Sequence, residues 1–138
     1  MKFKPAKLYI VFKYFFWTWF VLILTLSSIP YLPGPDLDKG ESMLRMDYII
    51  HLIEYFVLVT LLLFWLGGRE YKLSKRVVLL TLLGGIVLAT VDEYHQIWIP
   101  GRSFNPMDMY ANYAGVLCGM FFSLLALARL RTKQQVDS

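Results

Sequence analysis

An all-α integral membrane protein, a four-helix bundle, is the fold class this sequence predicts. Three observations carry it: four long apolar runs, a charge content too low for a soluble domain, and basic residues gathered beside alternate connections. The runs extend from Leu8 to Ile29, Tyr48 to Leu66, Val77 to Ile99 and Met109 to Leu127. Each is close to the roughly 20 residues that a helix needs to cross about 30 Å of hydrocarbon. The chain is 57 % hydrophobic and only 17 % charged, whereas charged residues make up about a quarter of a soluble domain. Four spans use most of the 138 residues, so positions 1–138 read as a single transmembrane domain with no second module.

The first run has a basic start but is long, rich in aromatics (Phe15, Phe16, Trp17, Trp19, Phe20) and has no Ala-x-Ala exit, so it reads as a retained anchor. Lys13, about one turn inside it, is placed to snorkel toward headgroups. The second run begins after a Pro-, Gly- and Asp-rich loop, Pro30 to Lys39, and stops at Gly67-Gly68-Arg69-Glu70. Between the third and fourth runs, Pro100 to Pro106 must be non-helical. Irregular backbone at that depth is tolerated only under protein or beside a wet cavity, so this loop is expected to fold over the bundle. The fourth run passes into a charged tail, Arg129 to Ser138, expected to fray. Cys118, the single cysteine, excludes an intrachain disulfide and a thiolate metal site and reads as a packing residue.

Charge orients the bundle. Lys2, Lys4, Lys7 and Lys13 begin the chain, Arg69, Lys72, Lys75 and Arg76 separate the second and third runs, and Arg129, Arg131 and Lys133 follow the fourth. Only Lys39, Arg45 and Arg102 fall in the other two connections. Cytoplasmic loops carry the Lys and Arg excess, which predicts both termini cytoplasmic and segments 30–47 and 100–108 outside. The basic residues flank runs instead of forming one stripe, so the formal charge of +4 is no footprint for nucleic acid.

Ionisable residues inside a span cost about 2.5–3.5 kcal/mol each at the bilayer centre, so their clustering here directs attention to function. Asp47, His51, Glu54 and Tyr55 recur at spacings of three and four, on one face of the second helix in its outer half. Asp92, His95 and Gln96 share a face of the third, with Glu93 beside them above Ala89, Gly85 and Thr81. Asp108 and Asn112 open the fourth, above Gly115 and Gly119. Three polar faces at one depth predict an outward-facing pocket, with Arg102 on the loop above as its nearby cation. Plainer readings stand beside this one. Small residues every fourth position are packing surfaces. Asp47 and Asp108 are each as well placed to cap a helix, and Arg102 is as well placed to pair with Asp92, Glu93 or Asp108 as to bind phosphate. His95 beside Trp98 suits the interface. His51 and Glu54 lie inside an apolar run, where neither is cheaply left unpaired, and favour function.

Together these residues resemble the VanZ-like family of small bacterial membrane proteins. The resemblance lies in Asp47, His51 and Tyr55, with Glu54 in a position the family often fills with Glu, and in Asp92, Glu93, Gln96, Pro100, Gly101, Arg102, Asp108, Asn112, Gly115 and Gly119. Tyr48 stands where Lys is common and Leu52 where Phe is common. The resemblance implies a bacterial cell-envelope protein of the cytoplasmic membrane, with name-giving members linked to lowered susceptibility to teicoplanin and related lipid-bearing glycopeptides. It supplies no reaction.

Two functions follow. In the first, the pocket binds a membrane ligand, either a glycopeptide or an envelope lipid such as a lipid-linked cell-wall precursor. In the second, His51, Glu54, Asp92 and Glu93 are the acid/base groups of an enzyme acting on such a lipid, with Arg102 as an anion clamp. Oxygen ligands with one imidazole also suit a divalent metal, but the spacing matches no metal signature and this version is not favoured. A channel or transporter is disfavoured because no polar path continues past Ala89 or Gly115.

Overall fold

The computed structural model describes residues 5–31 and 46–136, with side chains from Leu8 onward. Four helices make it up: α1 (Pro5–Ser27), α2 (Met46–Gly67), α3 (Lys75–Gln96) and α4 (Pro106–Val136), with a 3-10 turn at Gly68–Glu70. No strand occurs among the described residues. All four helices are long and apolar enough to cross a membrane. Lys2, Lys4, Asp36, Asp38, Lys39, Glu41 and Arg45, and most of the loop that begins at Pro30, lie outside the described residues.

Local chemistry sets the boundaries. Ser74 Oγ accepts from the Val77 amide at 3.2 Å and caps α3. That helix stops at Gln96, short of the expected Ile99, because a tight turn follows. The Arg102 amide donates to the Ile99 carbonyl at 3.0 Å, with Pro100 second and Gly101 third at φ +79°. Proline followed by a positive-φ glycine is the signature of a type II turn. The Tyr31 amide donates to the Pro100 carbonyl at 3.0 Å, so the end of the α1 connection fastens this loop across the bundle.

Helix α4 differs from expectation at both ends. Asn105 Oδ1 accepts from the Met107 amide at 3.0 Å and Pro106 follows as the first helical residue, so α4 starts three residues before Met109. Asn105, and not Asp108, is the cap. At the other end the helix runs to Val136, through most of the Arg129 to Ser138 tail expected to fray. Ala, Leu, Arg, Lys and Gln dominate that stretch and are strong helix formers.

The α2–α4 interface is the most extensive in the bundle. A β-carbon added to Gly115 would stand 2.3 Å from the Leu52 carbonyl oxygen, and one added to Gly119 would stand 2.6 Å from that of Phe56. Glycine thus lets two backbones touch, as small residues do throughout membrane helix pairs. Tyr55, Leu58, Val59 and Leu63 of α2 and Val116 of α4 form the core of this seam. Gly85 of α3 meets Val116, whose methyl would lie 3.0 Å from an added β-carbon. α1 attaches differently, through aromatic contacts such as Phe16 with Trp65 (centroids 5.7 Å apart) and the Trp19 indole, which donates to the Glu54 carbonyl at 2.9 Å.

The outer surface is apolar: Phe15, Trp17, Leu80, Val87, Val91 and Phe121 are exposed. A surface this apolar suits lipid contact. Cys118, expected to be a packing residue of the fourth span, is exposed on this outer surface.

Candidate functional site

The polar residues gather at the end of the bundle where α1 and α3 finish and α2 and α4 begin. His51 stands at the centre. Its Nδ1 lies 3.7 Å from Glu54 Oε2, one turn along α2, and its Nε2 lies 3.8 Å from Asp108 Oδ2 on α4. The alternative placing Asp108 as a helix cap gives way to this arrangement, because Asn105 does the capping and the Asp108 carboxylate faces α2.

Glu93 approaches from α3. His51, Glu93 and Asp108 each present one nitrogen or oxygen within 4.8 Å of the others. Glu93 is 0 % exposed, and the Asn105 main chain approaches it, yet neither of its oxygens makes a well-formed hydrogen bond among the described residues. Asn112, one turn along α4 from Asp108, is likewise 0 % exposed with both amide atoms unpartnered. Buried polar groups are paired in the great majority of cases, so two such side chains beside one another's helices mark this place as unusual. Tyr55 is fully buried and its hydroxyl donates toward Asp92 Oδ2 at 3.5 Å, a long contact. Arg102 Nε donates to Gln96 Oε1 at 3.2 Å. An amide, in place of the carboxylate considered from sequence, therefore orients the guanidinium.

A cavity of about 610 Å³ opens above these groups. Sites for small molecules commonly enclose about 300–1,000 Å³. Of the ten residues singled out from sequence, Asp47, His51, Glu54, Asp92, Gln96, Arg102 and Asp108 line it. Tyr55, Glu93 and Asn112 do not; all three are fully buried. The grouping expected on helices two, three and four is thus present among the described residues. Sequence reasoning missed one wall, formed by Ile23, Leu26 and Ser27 of α1, and the part contributed by Ser103, Phe104 and Asn105. A signal for α1 existed: Trp19, Ile23 and Ser27 recur every fourth position, and the last two are buried.

Residues 5–127 match the family model described as VanZ/LLP1, a stretch spanning α1 to α3 and most of α4. The chain belongs to the VanZ/LLP1 family. No curated protein and no solved structure matches it. The residues that carry the VanZ-like resemblance now have distinct physical jobs in this VanZ/LLP1 protein. Pro100, Gly101 and Arg102 build a turn, Gly115 and Gly119 let two backbones meet, and the acidic, imidazole and amide groups converge at one end.

Proposed function

We propose that this VanZ/LLP1 protein binds an amphipathic cell-envelope ligand at the outer leaflet of the bacterial cytoplasmic membrane, and thereby lowers susceptibility to lipid-bearing glycopeptides such as teicoplanin. The observation that carries the reading is the make-up of the cavity wall. Asp47, Glu54, Asp92 and Asp108 supply acid on one side, suited to an amine-bearing headgroup, while Ile23 and Leu26 supply an apolar surface on the other, suited to a lipid tail. Support for the outward direction comes from charge. Of the described basic residues, Arg102 lines the cavity, whereas Arg69, Lys72, Lys75, Arg76, Arg129, Arg131 and Lys133 belong to the opposite end, an excess that suits a cytoplasmic face.

Losing a charged hydrogen-bonding partner costs about 1.5–3 kcal/mol. Glu54→Gln and Asp92→Asn are therefore each expected to weaken retention of a fluorescent lipoglycopeptide by roughly tenfold or more. Resistance should fall in step while insertion stays normal. Full resistance in both variants, at normal membrane levels, sinks the reading.

One feature favours an enzyme as the second reading: His51 lies between Glu54 and Asp108, 3.7 and 3.8 Å away, so a shift of under about an ångström brings either carboxylate into reach for proton transfer. Lipid mass spectrometry separates the two. An envelope lipid altered by the native chain but not by His51→Gln, while the ligand is still retained, favours the enzyme.

A further inference from the structure

We propose that His51, Glu93 and Asp108 hold a divalent cation of the first transition row at the floor of this chamber. The inference deepens the function just described and rests on the same cavity. Three helices each contribute one donor, and the donor atoms lie within 4.8 Å of one another. A cation about 2.1 Å from two donors needs them no more than about 4.2 Å apart. His51 Nε2 and Asp108 Oδ2, at 3.8 Å, already satisfy this. With all three donors inside 4.8 Å, the widest pair exceeds that limit by at most about 0.6 Å, a gap that a change in the Glu93 side-chain torsions closes.

Glu93 supplies the independent argument. It is 0 % exposed, lacks a well-formed hydrogen bond to either oxygen among the described residues, and points an oxygen into the cluster. Such a group needs a compensating positive charge or a proton. Arg102, whose Nε donates to the neutral Gln96 amide, makes no ion pair with Glu93 among the described residues. Two carboxylates, Glu93 and Asp108, balance the charge of one divalent ion. Asn112, one turn along α4 beyond Asp108, is buried with its amide oxygen likewise unpartnered.

The donor types narrow the metal. One imidazole with oxygen ligands favours manganese or zinc over calcium or magnesium, which take oxygen alone in most sites. Glu54 Oε2 stands 3.7 Å from His51 Nδ1, just beyond hydrogen-bond reach, and a closer approach would let it orient the ring with Nε2 toward the ion, as outer carboxylates do for metal-bound histidines. His51 and Asp108 also line the 610 Å³ cavity, which leaves room for water or a ligand oxygen in the remaining coordination positions.

The test uses the full chain in detergent, stripped with a chelator and titrated separately with Mn²⁺ and Zn²⁺. One saturable equivalent per chain is expected, with nitrogen hyperfine coupling from His51 in the Mn²⁺ resonance spectrum. His51→Gln, Glu93→Gln and Asp108→Asn should each weaken binding by at least about tenfold, while Cys118→Ala leaves it unchanged. Should any of the three fail to fold, the native chain still decides: its unfolding temperature must rise with added Mn²⁺ or Zn²⁺, since an ion bound only to the folded state stabilises it. No saturable binding by the native chain, or binding unchanged in all three folded variants, overturns the proposal. Ligand retained without metal binding overturns this inference alone. Metal bound with no ligand retained overturns the function proposed above and leaves the cation site standing.

Discussion

At Gly101 the backbone is left-handed, at φ +79°, and the Tyr31 ring lies where a side chain would begin, 2.5 Å from an added β-carbon. Alanine there meets both a disfavoured conformation and a collision. Backbone strain of this kind costs about 1–3 kcal/mol, so Gly101→Ala should lower the unfolding temperature in detergent and loosen Arg102 from its place at the cavity wall. Unchanged melting and unchanged ligand retention would contradict this. The single-residue level also shows what spacing alone conveys. The shared face of Asp47, His51 and Glu54 was legible from intervals of three and four, as was the His51–Glu54 contact. The partners of His51 and Arg102 across the fold, Asp108 and Gln96, were not. Several carboxylates competed for each, and only the turn at Pro100 and the cap at Asn105 decide which one is reached.

Between helices, two glycine positions give opposite expectations. Gly115 seats on the Leu52 carbonyl, so Gly115→Ala forces α4 away from α2. Overpacking typically costs about 1–3 kcal/mol, to be read as a lower unfolding midpoint. Gly84 has nothing within 4 Å of an added β-carbon, so Gly84→Ala should be neutral or stabilise by about 0.5–1 kcal/mol, the helical preference for alanine. Equal effects at the two sites would contradict the backbone contact as the cause. The Gly-x-x-x-Gly pattern was readable as a packing face, but its partner helix was not, because α2 offers backbone carbonyls there and carbonyls leave no mark in a sequence. The end of α4 was misread for another reason. Charge after Leu127 favours an open end, but Ala126, Ala128, Leu130 and their charged neighbours are good helix formers and carry the helix on.

Among the described residues, polar chemistry gathers at one end, with Arg102 beside it, and the other basic residues lie toward the opposite end. In a Cys118→Ala background, a membrane-impermeant maleimide should label Ser103→Cys in intact cells and Gln134→Cys only after permeabilisation. Both substituted positions are exposed. The reverse pattern would invert the orientation and remove the outer-leaflet ligand from consideration. Within this frame the four helices are not equally fixed. Main chain meets main chain along α2 and α4, so sliding or rolling one over the other runs into collisions at Gly115 and Gly119. α1 is held by aromatic side chains and one indole hydrogen bond, contacts that tolerate small displacement. Adjustment of the chamber to occupants of different girth therefore falls on the Ile23–Leu26 side, while the rigid pair keeps His51 and Asp108 in step.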